Sequence, residues 1–159
     1  MDSHNDPASA RATTALTPEL IQEIALDRSP AVSRMGVKLH AMDDRSVTFR
    51  LDWQEALVGD PESGALMGGV ITTLMDHASG LAVALATRSQ RFPEATLELR
   101  VDYLKPSRRG SAVCVKAECH KVNRRIAFVR ATAWHADNDD DVIATGVATF
   151  MMQEAGGSA

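Results

Sequence analysis

Asp76 stands in the middle of the most apolar stretch of this chain, GALMGGVITTLMDHASG (Gly64–Gly80), with Gly68 and Gly69 eight and seven residues ahead of it. Val70, Ile71, Leu74, Met75, Ala78, Leu81, Ala82 and Leu85 recur with a helical period and nearly encircle the helix, the pattern of a buried element. An ionised carboxylate buried without partners costs several kcal/mol, roughly, so Asp76 calls for a reason. Thr72, Thr73, Ser79 and Gly80, three and four positions away, form a narrow polar and small-residue stripe around it. At the glycine-rich start, the first N–H groups of the helix have no partners within it and carry partial positive charge. A carboxylate can take a proton from water or attack a carbonyl, and free amides can hold the negative charge that develops on oxygen. The same residues also fit a satisfied polar group on a helix whose glycines allow close packing.

The rest of the chain has to position that helix. At 159 residues it reads as one domain with a proper core, 45% hydrophobic and 24% charged. A net charge of -4 argues against a general nucleic-acid binder. No run of about 18 purely apolar residues suggests a membrane span, and the start, MDSHNDPASARATTA, lacks the apolar centre of a signal peptide. Residues 1–15 are expected to be a disordered lead, 16–152 a single domain, and 153–159 a frayed tail. Cys114 and Cys119 are an odd number of positions apart in one expected strand and point to opposite faces, so they do not bridge each other. A cytoplasmic location is the simplest expectation.

In chain order, Thr17–Arg28 reads as a short helix with Thr17 as cap and Pro18 in its first turn, and SPAVSRMG as a breaker. Val37–Met42 and Ser46–Trp53 make a hairpin around Asp43-Asp44-Arg45, and Gln54–Ser63 a loop. The central helix ends near Arg88, and the loop SQRFPE follows. From Thr96 to Lys105, Leu97, Leu99, Val101 and Tyr103 alternate with Glu98, Arg100 and Asp102. Ser111–Val122 and Arg125–His135 flank Asn123-Arg124, Asp137–Asp141 reads as a solvated turn, and Val142–Met152 is the last strand. One helix too apolar for the surface, followed by four strands, predicts an α+β fold in which an antiparallel sheet wraps that helix.

GALMGGVITTLMDHASG, TLELRVDYLKP and ATGVATF together resemble the three signature blocks of hotdog-fold acyl-CoA thioesterases, nearest to the phenylacetic-acid-degradation (PaaI-like) type. The resemblance covers roughly residues 33–152. It implies that Asp76 is the general base or nucleophile of thioester hydrolysis. It implies that Gly68 donates its N–H to the thioester oxygen with Gly69 beside it, and that Thr96 helps hold the attacking water. It further implies an acyl-CoA substrate and a homodimer whose site takes Asp76 and Gly68 from different protomers, with two dimers commonly pairing into a tetramer. Coenzyme A enters only as part of the substrate, with no separate cofactor and no metal. The motif's usual His is replaced by Met67, a departure shared by a subgroup acting on medium- and long-chain acyl-CoA. The loop asparagine that some relatives add to the oxyanion site has no match in Gly59–Ser63.

Met67 is apolar and adaptable, suited to an acyl or aryl chain, and Thr72, Thr73 and Ser79 are candidates for substrate contact along the helix. Lys105, Arg108, Arg109, Arg124 and Arg125 lie in two turns; they read as solvated charges, or as partners for the phosphates of coenzyme A. His77 follows Asp76 but points about 100° away, so the two do not form a dyad and His77 reads as a packing residue or an interface contact. His40, His120 and His135 lack metal-ligand spacing. Two other functions fit less well. A hydratase or dehydratase needs a separate acid, and no His lies between His40 and His77. A non-catalytic acyl-CoA binder gains nothing from a carboxylate in an apolar slot.

Overall fold

The computed structural model describes residues 16–88 and 93–152. The expected lead (1–15), most of the SQRFPE loop and the tail (153–159) lie outside them. Thr17 caps α1 (Pro18–Ile21), its hydroxyl accepting the Leu20 N–H at 3.3 Å, and the chain runs on as a wider π turn, Gln22–Asp27. SPAVSRMG does more than break the chain. It forms α2 (Pro30–Arg34), with Pro30 in the first turn, where its missing N–H costs nothing, and Gly36 at φ +69 just beyond its end.

β1 (Lys38–Met42) and β2 (Ser46–Leu51) form the expected hairpin. Its turn is held by Asp43, whose carboxylate accepts from the Arg45 and Ser46 N–H groups and from the Ser46 hydroxyl. The Gln54–Ser63 segment, expected as a plain loop, contains a 3-10 turn (Glu55–Leu57) and β3 (Val58–Asp60), which pairs with β4 (Ala65–Leu66). Asp60 folds the tip by accepting from Glu62, Ser63 and the Ser63 hydroxyl. Gly59 passes so close to the next segment that a Cβ on it would meet the Met67 Cα at 2.8 Å.

α3 (Gly68–Ala86) follows, then β5 (Ala95–Tyr103), β6 (Val113–Val122), β7 (Ile126–His135) and β8 (Asn138–Met151). Six strands form one antiparallel sheet in the order β1-β2-β6-β7-β8-β5. It wraps α3, as the α+β reading expects, and this is a hotdog fold. Long enough and apolar enough by composition to cross a membrane, α3 has two-thirds of its most apolar window packed inside the protein. Val47, Phe49, Leu51, Val113, Val115, Ala117, Val129, Ala131, Ala133, Ala148 and Phe150 meet Leu74, Met75, Ala78, Leu81 and Ala82 in one core. At about 25 cal/mol per Å² of apolar surface removed from water, this contact dominates the fold's stability. Cys119 joins that core while Cys114 lies on the other face of β6, and burial pushes both thiols up.

Two strands depart from simple alternation. In β5 the register slips between Thr96 and Glu98, so Thr96 pairs Phe150 and Glu98 pairs Thr149. Leu97 is the extra residue of a β-bulge, and it lies 52% exposed instead of joining Leu99 and Val101 on the core side. The stretch Asp137–Asp141 is not merely a solvated turn. β8 already begins at Asn138, because Asp139 accepts the Trp134 indole N–H at 2.8 Å and Asp141 is drawn into a network described below.

Candidate active site

The slip in β5 places the first side chain of interest. Thr96 and Tyr103 are seven residues apart and would face opposite sides of a regular strand. The bulge turns both toward α3. Thr96 thereby donates its hydroxyl to Asp76 Oδ1 at 2.9 Å, and Tyr103 reaches the start of the helix, donating to the Gly68 carbonyl at 2.5 Å.

Asp76 is half-buried in the single chain, not enclosed as its apolar neighbourhood suggests. It lines a hollow of about 220 Å³ with His77, Gly80, Pro93, Glu94, Ala95, Thr96 and Phe150. The stripe on its own helix does not supply its partner. Thr72 and Thr73 turn their hydroxyls back to the Gly68 and Gly69 carbonyls, at 3.2 and 2.8 Å, and Ser79 is wholly buried with no hydrogen-bond partner among the described residues. His77 behaves as a packing residue: Nε2 lies 2.6 Å from the Ala25 carbonyl, and its ring packs on Phe49 at 5.8 Å between centroids.

Gly68 opens α3, with Met67 as the residue before it at φ -59, ψ 134. The Met67 carbonyl accepts the Val70 N–H, and its own N–H is held by the Leu57 carbonyl, both at 2.9 Å. The N–H groups of Gly68 and Gly69, the first two of the helix, are the ones that a helix leaves without internal partners. Gly68 itself lines a second hollow, about 370 Å³, together with Leu66, Ile71, Tyr103, Leu104 and Ile143 and with Lys105, Pro106 and Ser107. Met67, 55% exposed, stands next to it. Eight residues along a helix is a rise of about 12 Å, so within one chain the carboxylate and the Gly68 amide belong to two separate hollows.

The basic turns lie at opposite ends of the sheet. The ten-residue strand β6 separates them by about 30 Å. Arg108 pairs with Asp137 at 2.6 Å, and Arg109 donates to the Pro61 and Glu62 carbonyls, so both tie their turn to neighbouring loops. Arg124 is exposed in the other turn, near the Asp76 end, where Met152 donates to the Arg125 carbonyl at 2.8 Å.

Two features escape the sequence reading. Tyr103 bridges the Gly68 carbonyl and the Thr72 hydroxyl, which is 2.6 Å away; in sequence it was only one more alternating apolar residue. His135, buried in the sheet, lies with Nδ1 2.6 Å from Asp141, and its Nε2 accepts the Arg108 N–H at 2.9 Å, which fixes Nδ1 as the protonated nitrogen. Lys105 also donates to Asp141. Lys105 first, and then His135, hold the Asp141 carboxyl below the usual range against the opposing pull of desolvation. The pair anchors the turn whose Ser107 hydroxyl accepts the Leu66 N–H at 2.9 Å, just ahead of Gly68. Among the described residues no three His, Cys, Asp or Glu side chains gather as a metal site.

Known proteins are similar to this chain in sequence and in fold. The family model described as "Thioesterase superfamily" matches residues 63–142, half of the chain, from just ahead of α3 into β8. The medium/long-chain acyl-CoA thioesterase YigI of Salmonella typhimurium is 27% identical over 157 residues, 91% of this chain and 99% of its own. A Pseudomonas aeruginosa protein of known crystal structure is 33% identical with a TM-score of 0.71, over 84% of this chain and 99% of that one. The crystal structure of zebra fish thioesterase superfamily member 2, at 22% identity, shares the fold with a TM-score of 0.75 over 87% of this chain and 100% of that one. The match carries the helix with Asp76 and the paired glycines, the strand that tethers them, and β6 and β7 beneath: this chain belongs to the thioesterase superfamily and is a thioester hydrolase.

Proposed function

We propose that the protein hydrolyses acyl-CoA thioesters with a medium- or long-chain acyl group, as a homodimer in which each site combines Asp76 of one protomer with the Gly68 and Gly69 amides of the other. The observation that carries this reading is the separation just described. Asp76 and the Gly68 amide sit about 12 Å apart on one helix, too far to act on one carbonyl, so a second copy must bring them together.

β5 supports the pairing. It is an edge of the sheet, nine residues long, with Leu97 and Tyr103 exposed and Met67 and Leu104 close by. An edge of that length with apolar side chains invites a partner strand, and an antiparallel copy of β5 would bring the Thr96 end of one chain to the Tyr103 end of the other. Two such dimers pairing into a tetramer belong to the same proposal.

The chemistry needs little more. Asp76 acts as general base on a water, or as nucleophile on the thioester carbonyl, and Thr96 orients it through the 2.9 Å hydrogen bond. The glycine amides hold the oxyanion, a contribution of about a hundredfold or more per donor. The thiolate of coenzyme A leaves without a strong acid, so Met67 in place of a His is no obstacle. Met67, Ile71, Leu104 and the apolar walls of the larger hollow suit an alkyl chain, in keeping with the acyl group named for YigI. Thr72 and Thr73 turn their hydroxyls onto the helix's own carbonyls, and Ser79 is wholly buried. Arg108 and Arg109 of one protomer and Arg124 and Arg125 of the other come to the same end of such a site, as partners for the coenzyme A phosphates.

Thiol release from coenzyme A esters running from butanoyl to palmitoyl, with phenylacetyl- and benzoyl-CoA beside them, tests the reading. Turnover is expected to peak among the longer alkyl chains. A peak on the aryl esters moves the substrate class, and hydration of an enoyl-CoA without thiol release, or binding without turnover, rejects hydrolysis.

A further inference from the structure

β5 is tied to α3 at two points. The first tether, from Thr96, holds the carboxylate of Asp76. The second, from the Tyr103 phenol, holds a peptide group: it donates to the Gly68 carbonyl at 2.5 Å and lies 2.6 Å from the Thr72 hydroxyl. That carbonyl and the Gly69 N–H are the two ends of a single planar peptide unit. A hydrogen bond that fixes the direction of the carbonyl therefore fixes the direction of the amide. It also draws electron density toward oxygen and makes the N–H a stronger donor, as in any hydrogen-bonded chain of amides.

Glycine at 68 is what lets the phenol approach, since a Cβ there would stand 3.2 Å from its oxygen. Thr72 adds a longer hydrogen bond to the same carbonyl, at 3.2 Å against 2.5 Å for the phenol. The ring itself is half exposed and forms one wall of the larger hollow. Resting on the reading that the glycine amides receive the oxyanion, we propose that Tyr103 is a positioning residue for thioester hydrolysis, orienting and polarising the Gly68–Gly69 peptide through its hydroxyl. It acts on its own chain's glycines, and so on the site completed by the other protomer's Asp76.

The test is Tyr103→Phe, which keeps the ring as a wall and removes only the hydroxyl. The expected result, with a long-chain acyl-CoA, is a fall in kcat of about tenfold with KM held within about twofold, and an unchanged melting temperature. Thr72→Val, which removes the phenol's second partner together with the longer 3.2 Å hydrogen bond to the same carbonyl, lowers kcat in the same direction by about threefold. A raised KM with kcat unchanged in Tyr103→Phe would make the phenol a substrate contact only and overturn the proposal, as would wild-type kcat in both variants. Failure of the underlying reading looks different: wild-type protein itself would then release no thiol from any acyl-CoA.

Discussion

Asp76→Asn is expected to leave the protein folded and to remove most of its hydrolysis, a fall in kcat of about 10²–10⁴-fold. The amide matches the carboxylate in shape and can still accept the Thr96 hydroxyl, now 2.9 Å from Oδ1. Asp76 takes no part in the core, and its surroundings open to a hollow, so folding loses little. What disappears is the basic oxygen. An amide neither takes a proton from water at neutral pH nor attacks a thioester. The measurement is kcat for thiol release at saturating acyl-CoA, with the melting temperature of the same preparation as control. Hydrolysis at an undiminished rate would mean that the reaction centre lies elsewhere on the chain.

Phe49→Ala has the largest expected effect on stability, about 3–5 kcal/mol out of a total of about 5–15 kcal/mol for a domain. The Phe49 ring is fully buried on the core face of β2, opposite Val115 of β6, and packs on His77 of α3. His77 in turn holds the Ala25 carbonyl. Removing the ring opens a cavity between sheet and helix, and loosens the contact that docks the N-terminal turns. In urea the midpoint falls while the slope stays the same. The comparison has to be made at one protein concentration, because association stabilises a dimer by mass action. Phe49→Leu, which fills more of the space, loses less. A Phe49→Ala midpoint equal to that of wild type would place the core elsewhere than between β2 and α3.

Periodicity carried most of the fold. α3 declared itself by apolar residues on nearly every side, and its span Gly68–Ala86 lies inside the expected one. The β1–β2 hairpin, β6 and β7 followed from alternation and from polar turns. Alternation failed at Leu97 because an apolar residue inserted by a bulge looks the same in sequence as one on the core face, yet that bulge is what turns Thr96 toward Asp76. SPAVSRMG carried the proline of a helix start as much as the residues of a breaker, and only packing decided between them. The run Asp137–Asp141 had the composition of a wet turn. Its placement in β8 depends on Trp134, His135 and Lys105, partners distant in sequence or on the neighbouring strand.

The candidate site was legible in part for the same reasons. Asp76, Gly68 and Gly69 stood out because a carboxylate and paired glycines are costly in an apolar helix. Tyr103 did not, since its hydroxyl meets Gly68 only once β5 is laid against α3. Nor could spacing along one chain say that Asp76 would remain half exposed. The surface that would cover it, on the proposed reading, belongs to another copy.

That sharing is tested most directly by mixing two defective chains. Gly68→Pro removes the amide donor at the first helical position, its Cβ also crowding the Tyr103 phenol at 3.2 Å, and Met67 at ψ 134 already has the conformation a residue before proline needs. Each variant alone is expected to be nearly inactive. If each site draws Asp76 from one protomer and Gly68 from the other, co-refolding Asp76→Asn chains with Gly68→Pro chains in equal amounts gives mixed dimers with one intact site, and about a quarter of wild-type activity returns. Activity no greater than the average of the two parents would mean that carboxylate and amides work within a single chain, and would contradict the shared site.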